Sequence, residues 1–152
     1  FVFIGLMNIK GDPFVIEYNV RMGDPETEVV LPRIKSDLVE LLQKTATQKL
    51  ANFKLELNPE TALTVMMVSG GYPENYPKGK TITGINNIKE GLVIHAGTRA
   101  SGDSIETSGG RVIACTAYGG SIKEAQKKAY LMVDQINFEG AYYRKDIGND
   151  LI

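Results

Sequence analysis

Glu17, Asn19 and Arg21 recur at a spacing of two within residues 14–21, an apolar and aromatic run whose alternation predicts a β-strand. On a strand such residues share one face, their Cα atoms about 7 Å apart at each step. A carboxylate and an amide oxygen placed side by side are hard oxygen donors. They suit Mg²⁺ (or Mn²⁺), which takes one or two protein oxygens and fills the rest of its shell with water and phosphate oxygens. The guanidinium of Arg21 next door suits a phosphate or a carboxylate. The same three residues also describe the ordinary solvated face of an antiparallel strand, and spacing by itself does not decide between the two.

The elements that must position these groups follow from the flanking pattern. Residues 1–8 and 14–20 are two strand-like runs separated by Lys10-Gly11-Asp12-Pro13, which predicts a hairpin. In its second strand Phe14, Ile16, Tyr18 and Val20 point one way, and Val15, Glu17, Asn19 and Arg21 the other. Gly23-Asp24-Pro25-Glu26 follows, where Asp24 is placed to cap a helix that starts at Pro25, carries Glu26 and Glu28 in its first turn and ends near Pro32. A second helix is expected over residues 37–50, with Asp37 and Glu40 at capping-box spacing and Leu38, Leu41 and Leu42 on one face. Periodicity fails over residues 52–60, which marks a boundary.

Beyond it, residues 62–69, 81–85, 92–98 and 112–118 read as strands bounded by glycine-containing turns. A helix from Ser121 to about Asn137 closes the chain, with Ile122, Ala125, Ala129, Met132, Val133 and Ile136 as its apolar face. The fold class is therefore α+β, in two units of residues 1–54 and 60–152. Because the chain opens directly on apolar strand residues, the strand over residues 1–8 is read as the torn edge of a larger sheet, exposing apolar surface through which the chain self-associates.

Seventeen Lys and Arg against eighteen Asp and Glu give a formal net charge of −1, which lacks the basic excess that nucleic-acid binding requires. No apolar stretch is long enough to span a membrane. Cys115 is the only cysteine, which excludes an internal disulfide and fits a reducing cytoplasm. Its Val-Ile-Ala-Cys-Thr-Ala-Tyr setting reads as a strand interior and the thiol as a core group. His95, the only histidine, alternates with Val93 and Gly97 on a strand, as a structural imidazole or a substrate contact. Gly70-Gly71 and Gly109-Gly110-Arg111 serve turns or cradle a phosphate.

The run Glu17-Tyr18-Asn19-Val20-Arg21-Met22-Gly23-Asp24-Pro25-Glu26-Thr27-Glu28 resembles the signature segment of phosphoribosylamine glycine ligases, members of the ATP-grasp superfamily. Tyr18 stands where the common form has Phe, and Met22 where it has Phe or Leu; both keep the bulk. Lys35-Ser36-Asp37-Leu38, Ser69-Gly70-Gly71-Tyr72-Pro73, His95-Ala96-Gly97-Thr98, Gly109-Gly110-Arg111-Val112, Glu124-Ala125-Gln126 and Arg144-Lys145-Asp146-Ile147-Gly148 continue the likeness in the family's order. It covers essentially the whole chain.

This resemblance implies the C-terminal piece of an ATP-grasp domain, a hairpin plus helices, followed by a small strand-rich C-terminal domain with one main helix. It implies a cytoplasmic enzyme of purine biosynthesis. Glycine's carboxylate would attack the γ-phosphate of ATP, and the amine of 5-phosphoribosylamine would then attack the glycyl phosphate to give glycinamide ribonucleotide, ADP and phosphate. Carried over residue by residue, Glu17 and Asn19 bind the Mg²⁺ or Mn²⁺, and Asn19 and Arg21 contact the nucleotide. Arg21 also stabilises the transferring phosphoryl group, and Gly23 and Asp24 hold the amine-bearing substrate. The family's N-terminal domain, its lid and most of its ATP-grasp core have no counterpart in these 152 residues, so the piece is expected to be inactive alone. Two other readings stand beside it: a non-catalytic phosphosugar- or protein-binding module built on residues 62–152, and another ATP-grasp enzyme such as a carboxylase. The run from Arg21 to Glu26 argues against the carboxylase.

Overall fold

The computed structural model describes residues 1–152 with the exception of Asp24. The chain opens in an antiparallel hairpin of β1 (Phe3–Ile9) and β2 (Asp12–Asn19). Its turn is the pair Lys10-Gly11, both at positive φ (55° and 100°), the two-residue geometry whose twist matches that of the strands it joins. The Gly11 N–H donates to Asn8 Oδ1 at 2.8 Å and secures the turn. Asp12 and Pro13 thus open β2 rather than belong to the turn. The pairing shifts between Gly5, opposite Glu17, and Leu6, opposite Val15, and leaves Ile16 without a Cα partner. This bulge interrupts the alternation read from residues 14–21, but Glu17 and Asn19 lie together beyond it. Ile4, Leu6, Met7, Phe14, Ile16 and Tyr18 are all about half exposed or more, so the hairpin shows apolar side chains on both faces.

The next helix, α1 (Thr27–Val30), begins two residues later than expected and passes into a 3₁₀ turn at Leu31–Arg33. Pro25 and Glu26 lie ahead of it, and the Val30 N–H reaches back to the Glu26 carbonyl at 2.9 Å. The capping role assigned to Asp24 lies outside the described residues. In α2 (Leu38–Ala46), Asp37 accepts a hydrogen bond from the Glu40 N–H at 2.8 Å, as its spacing predicts. The helix ends before Leu50 because Gln48 adopts a left-handed φ of 56°. Lys49 N–H then bonds Lys44 O at 2.8 Å and Gln48 N–H bonds Thr45 O at 3.2 Å, the paired closure that usually recruits glycine. Residues 53–60 run back along residues 33–36: Lys35 N–H donates to Glu56 O at 2.9 Å, and the Arg33 guanidinium donates twice to Asn58 O at 3.2 and 3.1 Å.

The remaining elements are β3 (Thr61–Ser69), β4 (Thr81–Ile82), β5 (Leu92–His95), β6 (Thr98–Ser101), β7 (Ser104–Thr107), β8 (Arg111–Gly119), α3 (Ile122–Val133) and β9 (Ala141–Tyr142). They form a four-stranded sheet in the order β5-β8-β3-β9 and a three-stranded sheet in the order β4-β7-β6, both antiparallel. Alternation in β3 buries Leu63, Val65 and Met67 opposite Ala117, Cys115 and Ile113 of β8. The buried residues Ala125, Ala129, Met132 and Val133 of α3 join this core. On the sheet's other face, Thr116 donates to the Glu28 carbonyl of α1 at 3.0 Å, and the Thr64 hydroxyl lies 2.9 Å from it. With both faces covered, β8 is buried from Val112 to Ala117, which explains why Thr116 is the one polar residue in that run.

Three further expected elements end early. Residues 92–98 are not one strand: at Ala96-Gly97 the chain leaves the first sheet for the second, passing so close to β8 that a Cβ on Gly97 would strike the Arg111 carbonyl oxygen. The strand expected over residues 81–85 stops at Ile82, because Thr83 bridges Asn137 and Gly84 turns away at a φ of 87°. The helix begun by Ser121, whose hydroxyl accepts from the Glu124 N–H at 3.2 Å, is regular only to Val133, and single turns carry the chain on to Ile136. No helix among the described residues is long and apolar enough to cross a membrane.

Candidate functional site

The two residues chosen as metal ligands do meet. Asn19 Nδ2 donates to Glu17 Oε1 at 3.2 Å, at the exposed end of β2. Room for the Glu17 stem comes from Gly5 across the ladder, where an added Cβ would lie 3.1 Å from Glu17 Cγ. Sequence reasoning missed Gly5, although a glycine inside a strand is the usual sign that something approaches closely. Arg21 is not drawn into the pair. It lies past the end of β2, and its guanidinium donates to the carbonyl of its neighbour Met22 at 3.2 Å.

The turn that follows is tied down by its own side chains. The Gly23 N–H donates to Glu26 Oε2 at 2.8 Å, and the Thr27 hydroxyl lies 3.4 Å from the Gly23 carbonyl. Glu26, expected as a first-turn helix charge, instead precedes α1 and closes this turn; Glu28 alone is the acidic residue of the first turn. The substrate role expected for Asp24 falls outside the described residues. From Pro25 a cleft of about 210 Å³ runs along β3, past Met66 and Val68, to Arg111 and Arg144. Arg144 pairs with Asp146 at 2.6 Å, and that hydrogen bond holds the Asp146 carboxyl below its ordinary range.

His95 Nδ1 lies 3.0 Å from the Thr98 hydroxyl, a partner within its own turn. The glycine pairs are occupied by close chain packing. A Cβ on Gly70 would come within 2.7 Å of the Gly140 carbonyl oxygen, one on Gly109 within 3.0 Å of Gly97 Cα, and one on Gly110 would enter the Tyr72 ring. Among the described residues, no three His, Cys, Asp or Glu side chains gather into a metal-binding group.

Cys115 is fully buried, and burial pushes its thiol up to about 12 from an ordinary 9.0. Raised in this way, the thiol contributes stability that is complete below the unfolded value and lost as pH climbs towards the folded one. A thiol reagent at about pH 8, just below the range where a free thiol ionises, is expected to leave the native chain unlabelled and to label it fully in denaturant. Rapid native labelling would show that the β3–β8 core opens.

The family described as phosphoribosylglycinamide synthetase, C domain, matches residues 62–150. A phosphoribosylamine--glycine ligase of Chlorobaculum tepidum is 51% identical over 151 residues, covering 97% of this chain and 36% of that protein. One from Caldanaerobacter subterraneus is 47% identical over 146 residues, covering 96% and 35%. The crystal structure of a phosphoribosylamine--glycine ligase from Thermotoga maritima superposes with a TM-score of 0.76 at 38% identity, over 96% of this chain and 36% of that one. The chain thus spans about a third of the length of the relatives it matches. Its family model covers more than half of the chain, from β3 to the C-terminal turn, and the chain belongs to the phosphoribosylglycinamide synthetase C-domain family.

Proposed function

We propose that this chain forms part of an ATP-dependent carboxylate-amine ligase that joins glycine to 5-phosphoribosylamine, releasing ADP and phosphate, in cytoplasmic purine biosynthesis. The observation that carries the reading is the meeting of Glu17 and Asn19 a few residues ahead of the Gly23 turn, from whose Pro25 a cleft leads to two arginines. Residues 1–54 are then the edge of an ATP-grasp domain and residues 60–152 the ligase's C-terminal domain.

The donor set fits a hard divalent cation: one carboxylate and one side-chain amide, close together, Glu17 exposed and Asn19 partly so. The Asn19 amide now turns its NH₂ towards Glu17, and a half-turn about its terminal bond presents the oxygen instead. Glu17 and Asn19 would hold Mg²⁺ or Mn²⁺, which when bound supplies charge neutralisation across the nucleotide phosphates. Arg21 swings from the Met22 carbonyl to the transferring phosphoryl group, at the cost of one exposed hydrogen bond. Gly23 and Asp24 hold the amine of phosphoribosylamine, and the cleft seats its phosphoribose, with Arg111 and Arg144 as cations for the phosphate. Holding glycyl phosphate and amine in contact is the larger part of the remaining catalysis.

The full-length ligase carrying this chain is expected to form ADP only when both glycine and phosphoribosylamine are present; ADP formation indifferent to either would refute the reading. The 152-residue chain by itself should show no turnover and a nearly flat nucleotide titration, because two metal ligands do not hold ATP. Through the apolar hairpin it should also self-associate, which sedimentation velocity detects as a concentration-dependent mass. A strictly monomeric chain would remove that expectation.

A further inference from the structure

We propose that Glu26 is a positioning residue of the ligase: its carboxylate fixes the Gly23 turn and so sets where the amine substrate sits relative to the Glu17–Asn19 pair. The inference rests on the reading of Gly23 as a substrate contact and adds a residue to it. Glu26 is only partly exposed. One of its oxygens accepts the Gly23 N–H at 2.8 Å, while its backbone carbonyl receives the N–H groups of Val29 and Val30 at 3.1 and 2.9 Å. It also lines the hollow formed with Phe3, Ile4, Met22 and Val30 at the base of the hairpin.

A single residue therefore bonds both the turn at Gly23 and α1, which is anchored on β8 through the Thr116 bond to the Glu28 carbonyl, and faces across the hollow the hairpin that carries Glu17 and Asn19. The absence of a side chain at Gly23 is what admits the carboxylate, since a Cβ there would lie 2.5 Å from Glu26 Oε2 and 2.6 Å from its Cδ. Without that bond, the Gly23 N–H is free to turn to water and the Met22–Gly23 peptide plane loses its fixed direction.

The acceptor role separates Glu26 from a proton-transfer group or a helix-end charge, because glutamine keeps an oxygen acceptor and loses both the charge and the acid-base function. In the full-length ligase, Glu26→Ala should raise KM for phosphoribosylamine about ten-fold or more, the scale of one hydrogen bond to a charged group, with kcat changed much less. Glu26→Gln should restore KM to near the parent value. In ¹⁵N-glycine-labelled protein the Gly23 amide resonance should move in Glu26→Ala and stay near its parent position in Glu26→Gln. Gly23→Ala, which displaces the same carboxylate, should raise KM as Glu26→Ala does, and the double variant should be no worse than either alone. Equal loss of kcat in the Gln and Ala variants overturns the proposal in favour of acid-base chemistry. A normal KM in Glu26→Ala beside a raised KM in Gly23→Ala overturns it while the Gly23 site survives. A normal KM in both removes the substrate contact at Gly23, and this inference with it.

Discussion

Glu17→Ala in the full-length ligase is expected to lower kcat by about 100-fold or more while KM for glycine stays within about three-fold. A bound divalent cation supplies several kcal/mol of charge stabilisation during phosphoryl transfer, and about 1.4 kcal/mol corresponds to ten-fold in rate. Loss of one of the two proposed protein ligands should therefore show in the chemical step rather than in ground-state binding of glycine. Raising Mg²⁺ should recover part of the rate, because Asn19 remains and water can take the vacated position. The geometry favours a local effect. Glu17 is exposed, its recorded side-chain partner is Asn19, and its neighbour across the ladder is Gly5, so truncation leaves no buried group unpaired. Near-normal kcat at moderate Mg²⁺ would show that this face of β2 is not the metal site.

Gly84→Ala is expected to cost about 3 kcal/mol or more, lowering Tm by roughly 10 °C, since each kcal/mol is worth about 2–4 °C for a chain of this size. Two effects add. The residue sits at a φ of 87°, where any side chain is strained. A Cβ would also run into the Gln135 carbonyl oxygen, lying 2.8 Å from the Gln135 carbonyl carbon and 3.2 Å from Ile136 Cα. All three are backbone atoms, so no rotamer change relieves the clash. They cannot retreat without breaking the bridge in which Thr83 and Asn137 exchange N–H to carbonyl bonds of 2.9 and 3.0 Å, the link between the end of β4 and the exit of α3. Gly102→Ala is the control: it too has a positive φ, 57°, but no atom lies within 4 Å of its Cβ. Differential scanning calorimetry should separate the two clearly, and a Tm within about 2 °C of the parent for Gly84→Ala would contradict the close approach.

What the sequence determined depends on near neighbours. Asp37 and Ser121 cap their helices because a side-chain oxygen three residues from an N–H needs nothing else in place. The Lys10-Gly11 turn and the spacing of the apolar residues of α3 are equally local in origin, and the hairpin and the α3 face were legible from them. The spacing of Glu17 and Asn19 put both on one side of a strand, and the likeness of residues 17–28 to a ligase family supplied the chemistry. The tertiary structure decided where elements stop and what surrounds the site. Gln48 ends α2 by a backbone closure that its residue type does not announce. The chain changes sheets at Gly97 because β8, remote in sequence, lies against it. The bulge at Ile16 follows from the register with β1. Caps and turns involve atoms a few bonds apart along the chain. Register and close backbone approach depend on atoms that only the folded chain brings together.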